Sequence, residues 1–405
     1  MNVVLSYGLG VDSTALLLRW LHEPDSRDFD LSDLLVVTSM TGGEWPRTIT
    51  LVQDHVLPQL RAAGVRFAQV ARAGPREADG IRVLDDSTCP TVLYGHGAHK
   101  LEDELTSAGT VPQAGGNRIC SMKFKGWVID EYLRLFSPEA TRHAFGYEVG
   151  EQRRADDCER HMHGRLALGF EVGELGRARR ATEYDTPSRI AEFPLIEWGW
   201  DRERCERYIE SHTGVPDWPK SACDFCPFAL TSRAGRVATL RRYDDGPESL
   251  MRTLLLERRS VCLNPRGGLI AGRRLDLLVA ERLPHMIVPF EERMTWTRHA
   301  VFEVRRLWRP RRDDPTRVGT VGRALRILTA GSRRRCESYV RSLGDVDLQD
   351  GIARVYLLRR GEDLPTREHF FVAAPAGAEE KQRASFGTWW EELEHTQLDL
   401  LAAVA

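Results

Sequence analysis

Nowhere in this chain do apolar residues continue for the roughly 18–20 positions that a bilayer-spanning helix requires, so no membrane partner is expected. No basic stretch precedes a cleavable apolar segment at the N-terminus, where Val3–Leu5 already reads as part of the fold. Cytoplasm is therefore the expected compartment. Cysteine is sparse: eight in 405 residues cannot make a disulfide scaffold, and in a reducing compartment such residues serve as ligands, catalysts or packing. An excess of either charge is missing too. The net value is −2, so any affinity for nucleic acid must come from local patches rather than the global field. Internal repeats and long low-complexity segments are absent.

A hydrophobic content of 42% with 29% charged residues marks a globular protein, and 405 residues exceed one typical core. Over the first ~150 residues strand-like and helix-like runs alternate, which predicts a parallel α/β sheet. The expected strands are Val3–Leu5, Leu34–Thr38, Val65–Val70 and Ala144–Tyr147; the expected helices are Ser13–His22, Thr48–Ala63 and Phe124–Phe136. Residues 72–118 read as a long excursion near the site and 151–190 as a lid without an apolar stripe. Domain boundaries are expected near 190 and 297, giving 1–190, a cysteine-containing and helical region 191–297, and an Arg-rich α+β region 298–405. In that last region strands are expected at Val355–Leu358 and His369–Ala373, and a closing helix at Trp389–Leu401.

The most informative stretch is Val3-Val4-Leu5-Ser6-Tyr7-Gly8-Leu9-Gly10-Val11-Asp12-Ser13-Thr14. A buried strand breaks at Ser6, passes two glycines and restarts as a helix. Glycine lets backbone N–H groups approach an anion, and the helix start aims its free amides and positive dipole end at the same spot. Neither the P-loop Gly-Lys-Ser/Thr ending nor G-x-G-x-x-G is present in this turn. The pattern resembles the Ser-Gly-Gly-x-Asp-Ser "PP-loop" of ATP pyrophosphatases and of the phosphoadenosine phosphosulfate (PAPS) reductase-like superfamily, with Gly8 in place of the first Ser.

Four further segments extend the resemblance through about residue 230. Gly43-Glu44-Trp45-Pro46 with Thr48 is similar to the family's Asp-Thr-Gly-x-Glu-x-Pro-x-Thr loop, without its leading Asp. Arg118-Ile119-Cys120-Ser121-Met122-Lys123-Phe124-Lys125 is similar to a Cys-Cys segment followed by Lys, with Ser121 in place of the second Cys. Gly146 to Arg154 resembles the Gly-x-x-x-x-Glu-x-x-Arg segment, Glu151 and Arg154 fitting best. Finally, Pro194-Leu195-Ile196-Glu197-Trp198 with Cys205, then Cys223-Asp224-Phe225-Cys226-Pro227, resembles the iron–sulfur-bearing branch.

The resemblance implies an adenine nucleotide α-hydrolase-like sheet that binds ATP and Mg²⁺. Ser6, Gly8, Gly10, Asp12, Ser13, Thr14, Gly43, Glu44, Arg118, Lys125, Glu151 and Arg154 would surround the nucleotide, with Asp12, Ser13 and Lys125 in the chemistry. It also implies four sulfur ligands, Cys120, Cys205, Cys223 and Cys226. Four thiolates suit a 4Fe–4S cluster or tetrahedral zinc; the resemblance favours the cluster. The implied activity is adenylation with release of pyrophosphate, followed by sulfur transfer from a donor such as a cysteine desulfurase, in nucleic-acid modification. A PAPS or adenylylsulfate reductase is the alternative, disfavoured because the last cysteine is Cys336 and no Glu-Cys-Gly-type tail follows. A non-catalytic nucleotide-sensing subunit is the other. Between Arg298 and Arg341, 13 Arg face four carboxylates, an excess of nine that with Trp308 suggests contact with DNA or RNA.

Overall fold

The computed structural model describes residues 2–114, 119–136, 141–153, 155, 189–270 and 273–394. The chain divides into two compact units. One comprises Met1–Glu102 and Asn117–Asp224, the other Asp103–Gly116 and Phe225–Ala405. Residues 191–224 thus group with the N-terminal sheet and 225–297 with the C-terminal region, whereas the sequence pattern predicts boundaries at 190 and 297.

The first unit is built on six strands: β1 (Asn2–Ser6), β2 (Leu34–Ser39), β3 (Arg66–Arg72), β4 (Ile81–Ser87), β5 (Thr141–Phe145) and β6 (Arg189–Glu192). Their order is β4-β3-β2-β1-β5-β6. All pairings are parallel except β3 with β4. Near-continuous apolar runs suit strands covered on both faces. Val3 and Leu5 face a layer of helices that includes Val11–His22 and Arg202–Thr213, through Leu16, Leu17, Cys205 and Ile209. On the other face Val4, Leu35, Val37 and Val70 meet Val128, Ile129, Tyr132 and Leu133 of the helix Trp127–Phe136. The chain is mixed α/β with a largely parallel sheet, as the alternating pattern predicts.

Two expected helices carry a π-helical turn. In the one expected at Thr48–Ala63, the helix begins at Pro46 and widens at Val52–Val56, where Leu57 N–H bonds Val52 O. Pro58 explains the widening. Its ring would clash with the carbonyl four residues back, and an inserted turn relieves that contact. The other, expected from Phe124, starts at Ile119 and widens at Met122–Gly126. The excursion 72–118 contains β4 and the helix Leu101–Ala108. β4 is hidden in the sequence because Arg82, Asp85 and Asp86 interrupt its apolar residues; it is an antiparallel edge strand, where Asp86 pairs with Arg66 at 2.8 Å. Of the expected lid, Arg154 and residues 156–188 lie outside the described residues.

The second unit has the helices Arg233–Asp245, Pro247–Leu263, Leu275–Arg282 and Ile287–Trp296, then a fully antiparallel sheet. Its strands are β7 (His299–Pro310), β8 (Val318–Gly331), β9 (Val346–Gln349), β10 (Ile352–Leu358) and β11 (Thr366–Pro375), in the order β8-β7-β11-β10-β9. The helix Arg333–Arg341 joins β8 to β9. β10 and β11 contain the two expected strands. The long β7–β8 hairpin is masked in sequence by its arginines. The closing helix is seen at 386–394, and 395–401 lie outside the described residues. Among the described residues no helix is long and apolar enough to cross a membrane.

Candidate functional site at the carboxyl edge of the parallel sheet

From β1 the chain crosses to β2 on one side, and it returns later to β5 on the other. The loops leaving β1 and β5 therefore diverge, which opens a crevice at the carboxyl ends of the strands where ligands of open α/β sheets bind. Tyr7 N–H bonds Val37 O at 2.8 Å, and its hydroxyl meets Thr14 Oγ1 at 3.1 Å. Gly8 N–H donates to Ser13 Oγ at 3.1 Å, and Ser13 Oγ donates to Gly10 O at 3.4 Å. Leu9 is held at φ 64°, and its carbonyl accepts Trp218 Nε1 at 3.3 Å. A left-handed, buried leucine is strained, and that hydrogen bond helps to hold it.

Two glycines are demanded by close approach. A Cβ on Gly10 would lie 2.5 Å from Ser221 N, and one on Gly146 would lie 2.7 Å from Ser13 N. At Gly8 nothing comes nearer than 3.5 Å, so the serine of the PP-loop pattern would fit there. No side chain caps the helix Val11–His22. Its first-turn amides have no intrahelical acceptor.

Charged groups gather at this helix start. Arg202 Nη2 donates to Asp12 Oδ2 at 2.8 Å, while Asp12 Oδ1 is buried with no hydrogen-bond partner among the described residues. Burial pushes the Asp12 carboxyl up to about 6; Arg202 and Lys220 oppose the rise, and Glu151 and Glu148 add to it. Ser6 Oγ lies 2.7 Å from His143 Nε2 across the β1–β5 pair.

The second loop, after β2, is self-contained. Glu44 accepts Thr41 N–H at 3.1 Å, Thr41 Oγ1 at 2.8 Å and Gly42 N–H at 3.0 Å, so its carboxylate already fills the concavity that these amides make. Gly43 O accepts Asp224 N–H at 2.8 Å, and Thr41 Oγ1 is 3.4 Å from Cys223 Sγ. Lys125 rides on the second π-helical turn, which Ser39 at the end of β2 ties down through Phe124 O at 2.6 Å, and Arg72 at the end of β3 through Lys123 O at 3.2 Å. Ser6 ends β1, Gly8, Gly10, Asp12, Ser13 and Thr14 stand on the turn and helix start that follow it, Thr14 fully buried against Tyr7, and Glu151 stands on the segment that follows β5. Gly43, Glu44 and Lys125 stand on elements at the β2 side of the same edge. Arg118 and Arg154 lie outside the described residues.

The expected sulfur ligands stand on separate stretches of chain: Cys120 in the helical turn Ile119–Ser121, Cys205 in the helix Arg202–Thr213, and Cys223 and Cys226 in the segment after that helix. Among the described residues no three His, Cys, Asp or Glu side chains are grouped to hold a metal, and no disulfide joins the cysteines. Cys205 is fully buried beside Leu16, Leu17 and Trp200. Burial, with the Asp12 carboxylate nearby, pushes its thiol up to about 12, away from the thiolate that a cluster binds. These surroundings suit a packed side chain. Cys226 belongs to the second unit; Cys262 and Cys336 are buried in that unit's core.

Sequence reasoning missed Arg202, Lys220, Ser221, Trp218 and Glu148. Lys220-Ser221 stands out in the sequence only as the run leading into Cys223. Arg202 follows an Asp that N-caps its helix, Asp201 accepting Arg204 N–H at 2.8 Å, and only that cap carries a local signal.

In the second unit much of the arginine excess is spoken for. Arg306 pairs with Glu368 at 3.2 Å, Arg326 with Glu303 at 2.7 Å, Arg309 with Glu392 at 3.4 Å, and Arg333 with Glu291 and Glu337 at 2.7 and 2.8 Å. Trp308 is buried, with Arg306 at 4.7 Å and Arg360 at 4.1 Å from the centre of its ring. Arg298, Arg312, Arg317, Arg334, Arg335 and Arg341 are exposed. No family model, curated protein or solved structure matches this chain.

Proposed function

We propose that the first unit is a PP-loop ATP pyrophosphatase of the PAPS reductase-like superfamily, which adenylates an acceptor as the first step of sulfur transfer. The observation that carries this reading is the uncapped helix behind Gly10 at the β1/β5 crevice, where Ser221 leaves no room for a side chain. An oxygen of the acceptor attacks the α-phosphorus of ATP, the bond to the β-phosphate oxygen breaks, and pyrophosphate leaves. The amides of the first helical turn, with Gly8 and Gly10, stabilise charge on the phosphates as it develops. Lys125, on the β2 side of the edge, adds a point charge. Mg²⁺ would come with the nucleotide, held by phosphates, water and one or two of Asp12, Glu148 and Glu151, in the manner usual for this ion. Adenylation turns a poor oxygen leaving group into AMP, which a sulfur nucleophile can displace. The acceptor is proposed to be a nucleic acid, reached through the exposed arginines of the second unit.

A second reading, nucleotide binding without turnover, is favoured by Glu44, whose carboxylate is consumed within its own loop. The two are separated by incubating the purified chain with ATP and Mg²⁺ and following pyrophosphate. Release dependent on Gly10 is expected; ATP binding without release would leave the sensor.

A further inference from the structure

Arg202 and Asp12 are 190 residues apart, yet one hydrogen bond joins them at the start of two packed helices, Val11–His22 and Arg202–Thr213. The arrangement is electrostatically poor as it stands. A guanidinium sits at the positive ends of two helix dipoles, where a cation is disfavoured. Lys220 lies close enough to act on the same carboxylate. The Glu148 and Glu151 carboxylates also act on Asp12, which keeps one oxygen unpaired. Asp12 is the only hydrogen-bond partner of Arg202 among the described residues, and the Arg202 side chain keeps 29% of its surface exposed. Most of its five donors are thus available to a ligand entering the crevice.

We infer that Arg202 is a phosphate ligand held in reserve by Asp12: an entering polyphosphate takes the guanidinium from the carboxylate. This rests on the reading of the crevice as a triphosphate site. A guanidinium binds phosphate oxygens in pairs, and a triphosphate brings several charges where Asp12 brings one. Losing that partner costs the partly desolvated carboxylate, so the greater charge of the triphosphate must outweigh that cost, and the uncapped helix start offers its amides to the same phosphate. Arg202 then contributes to affinity in proportion to ligand charge and independently of the base.

The test is calorimetric titration of the full chain with ATP and with inorganic tripolyphosphate, alongside thermal unfolding. Arg202→Gln should weaken both ligands by roughly 10- to 100-fold, the range expected for losing charge-assisted hydrogen bonds. Arg202→Lys should restore part of that loss. Asp12→Asn should bind tripolyphosphate as tightly as the parent or more tightly, because Arg202 is released from its holding contact. A bracing salt bridge would behave otherwise: both variants would lose stability together and weaken ligands alike, and that result overturns the inference. So does an Arg202→Gln chain that folds and binds both ligands like the parent, although the triphosphate reading would then survive. If the parent binds neither ligand, both fall.

Discussion

The two units of this protein treat charge in opposite ways. In the second, arginines are dense, and the sheet neutralises many of them within itself: Arg306 reaches Glu368 on the neighbouring strand, and Arg326 reaches Glu303 across the hairpin. In the first, charged residues are as frequent overall, yet the crevice between β1 and β5 leaves a helix uncapped, a carboxylate half-paired and a guanidinium mostly free to donate. Charge density along a chain therefore does not measure charge available to a ligand. What counts is whether the fold supplies an internal partner.

The contrast breaks most sharply at Gly10. A valine there would push into Ser221 at the backbone, and ATP affinity should fall at least about 100-fold, with the same loss for tripolyphosphate in a titration. Gly8→Ser is the companion. With nothing nearer than 3.5 Å, it should stay within about twofold of the parent, the scale of an unstrained substitution. Equal affinities for all three proteins would remove the anion site.

On the other unit, Arg306→Ala should lower unfolding free energy by about 3 kcal/mol in denaturant titration, because Glu368 would be left buried and unpaired. Arg334→Ala, at an exposed position, should change it by no more than about 0.5 kcal/mol. If the exposed arginines serve nucleic acid, Arg334→Ala should instead reduce oligonucleotide retention at about 50 mM salt and flatten its salt dependence. Equal stability losses would show that the pairs do not divide the arginines as the structure does.

Asp12 links charge to folding. Its carboxyl titrates at about 6 in the folded chain against 3.8 as a free group, so the native state holds the proton more tightly. Between those values stability therefore rises as pH falls, and the cost of ionising Asp12, on the order of 2–3 kcal/mol, is present in full above about pH 6. Unfolding curves between pH 4 and 7 should show this slope in the parent and lose it in Asp12→Asn. An identical slope in both would place the titration elsewhere.

A smaller loss than at Arg306 is expected at Cys205. As a packed side chain, its replacement by Ser should reduce stability by roughly 1–2 kcal/mol through a hydroxyl buried without a partner, and leave iron and zinc content as in the parent. Metal lost together in Cys205→Ser and Cys223→Ser, but not in Cys262→Ser, would support the four-cysteine set.

Much of the first unit is legible in the sequence because its signals are local. The apolar runs of β1, β2 and β3 and the glycines of the turn after β1 lie within a few residues of what they specify. The π-helical turns are less accessible, since Pro58 marks one and nothing as plain marks the other. β4 is obscured by Arg82, Asp85 and Asp86, residues that suit an edge strand and equally suit a loop.

By itself the sequence determined that a strand, a glycine-bearing turn and a helix start stand together at residues 3–14, because sterics and hydrogen bonding between near neighbours leave few other solutions. Tertiary structure alone decided that Ser221 closes over Gly10, that Arg202 meets Asp12 and that Glu368 silences Arg306. Those pairs are joined through sheet order, helix packing and strand register, and a charged residue carries no local mark of the partner that a distant strand or helix will bring to it.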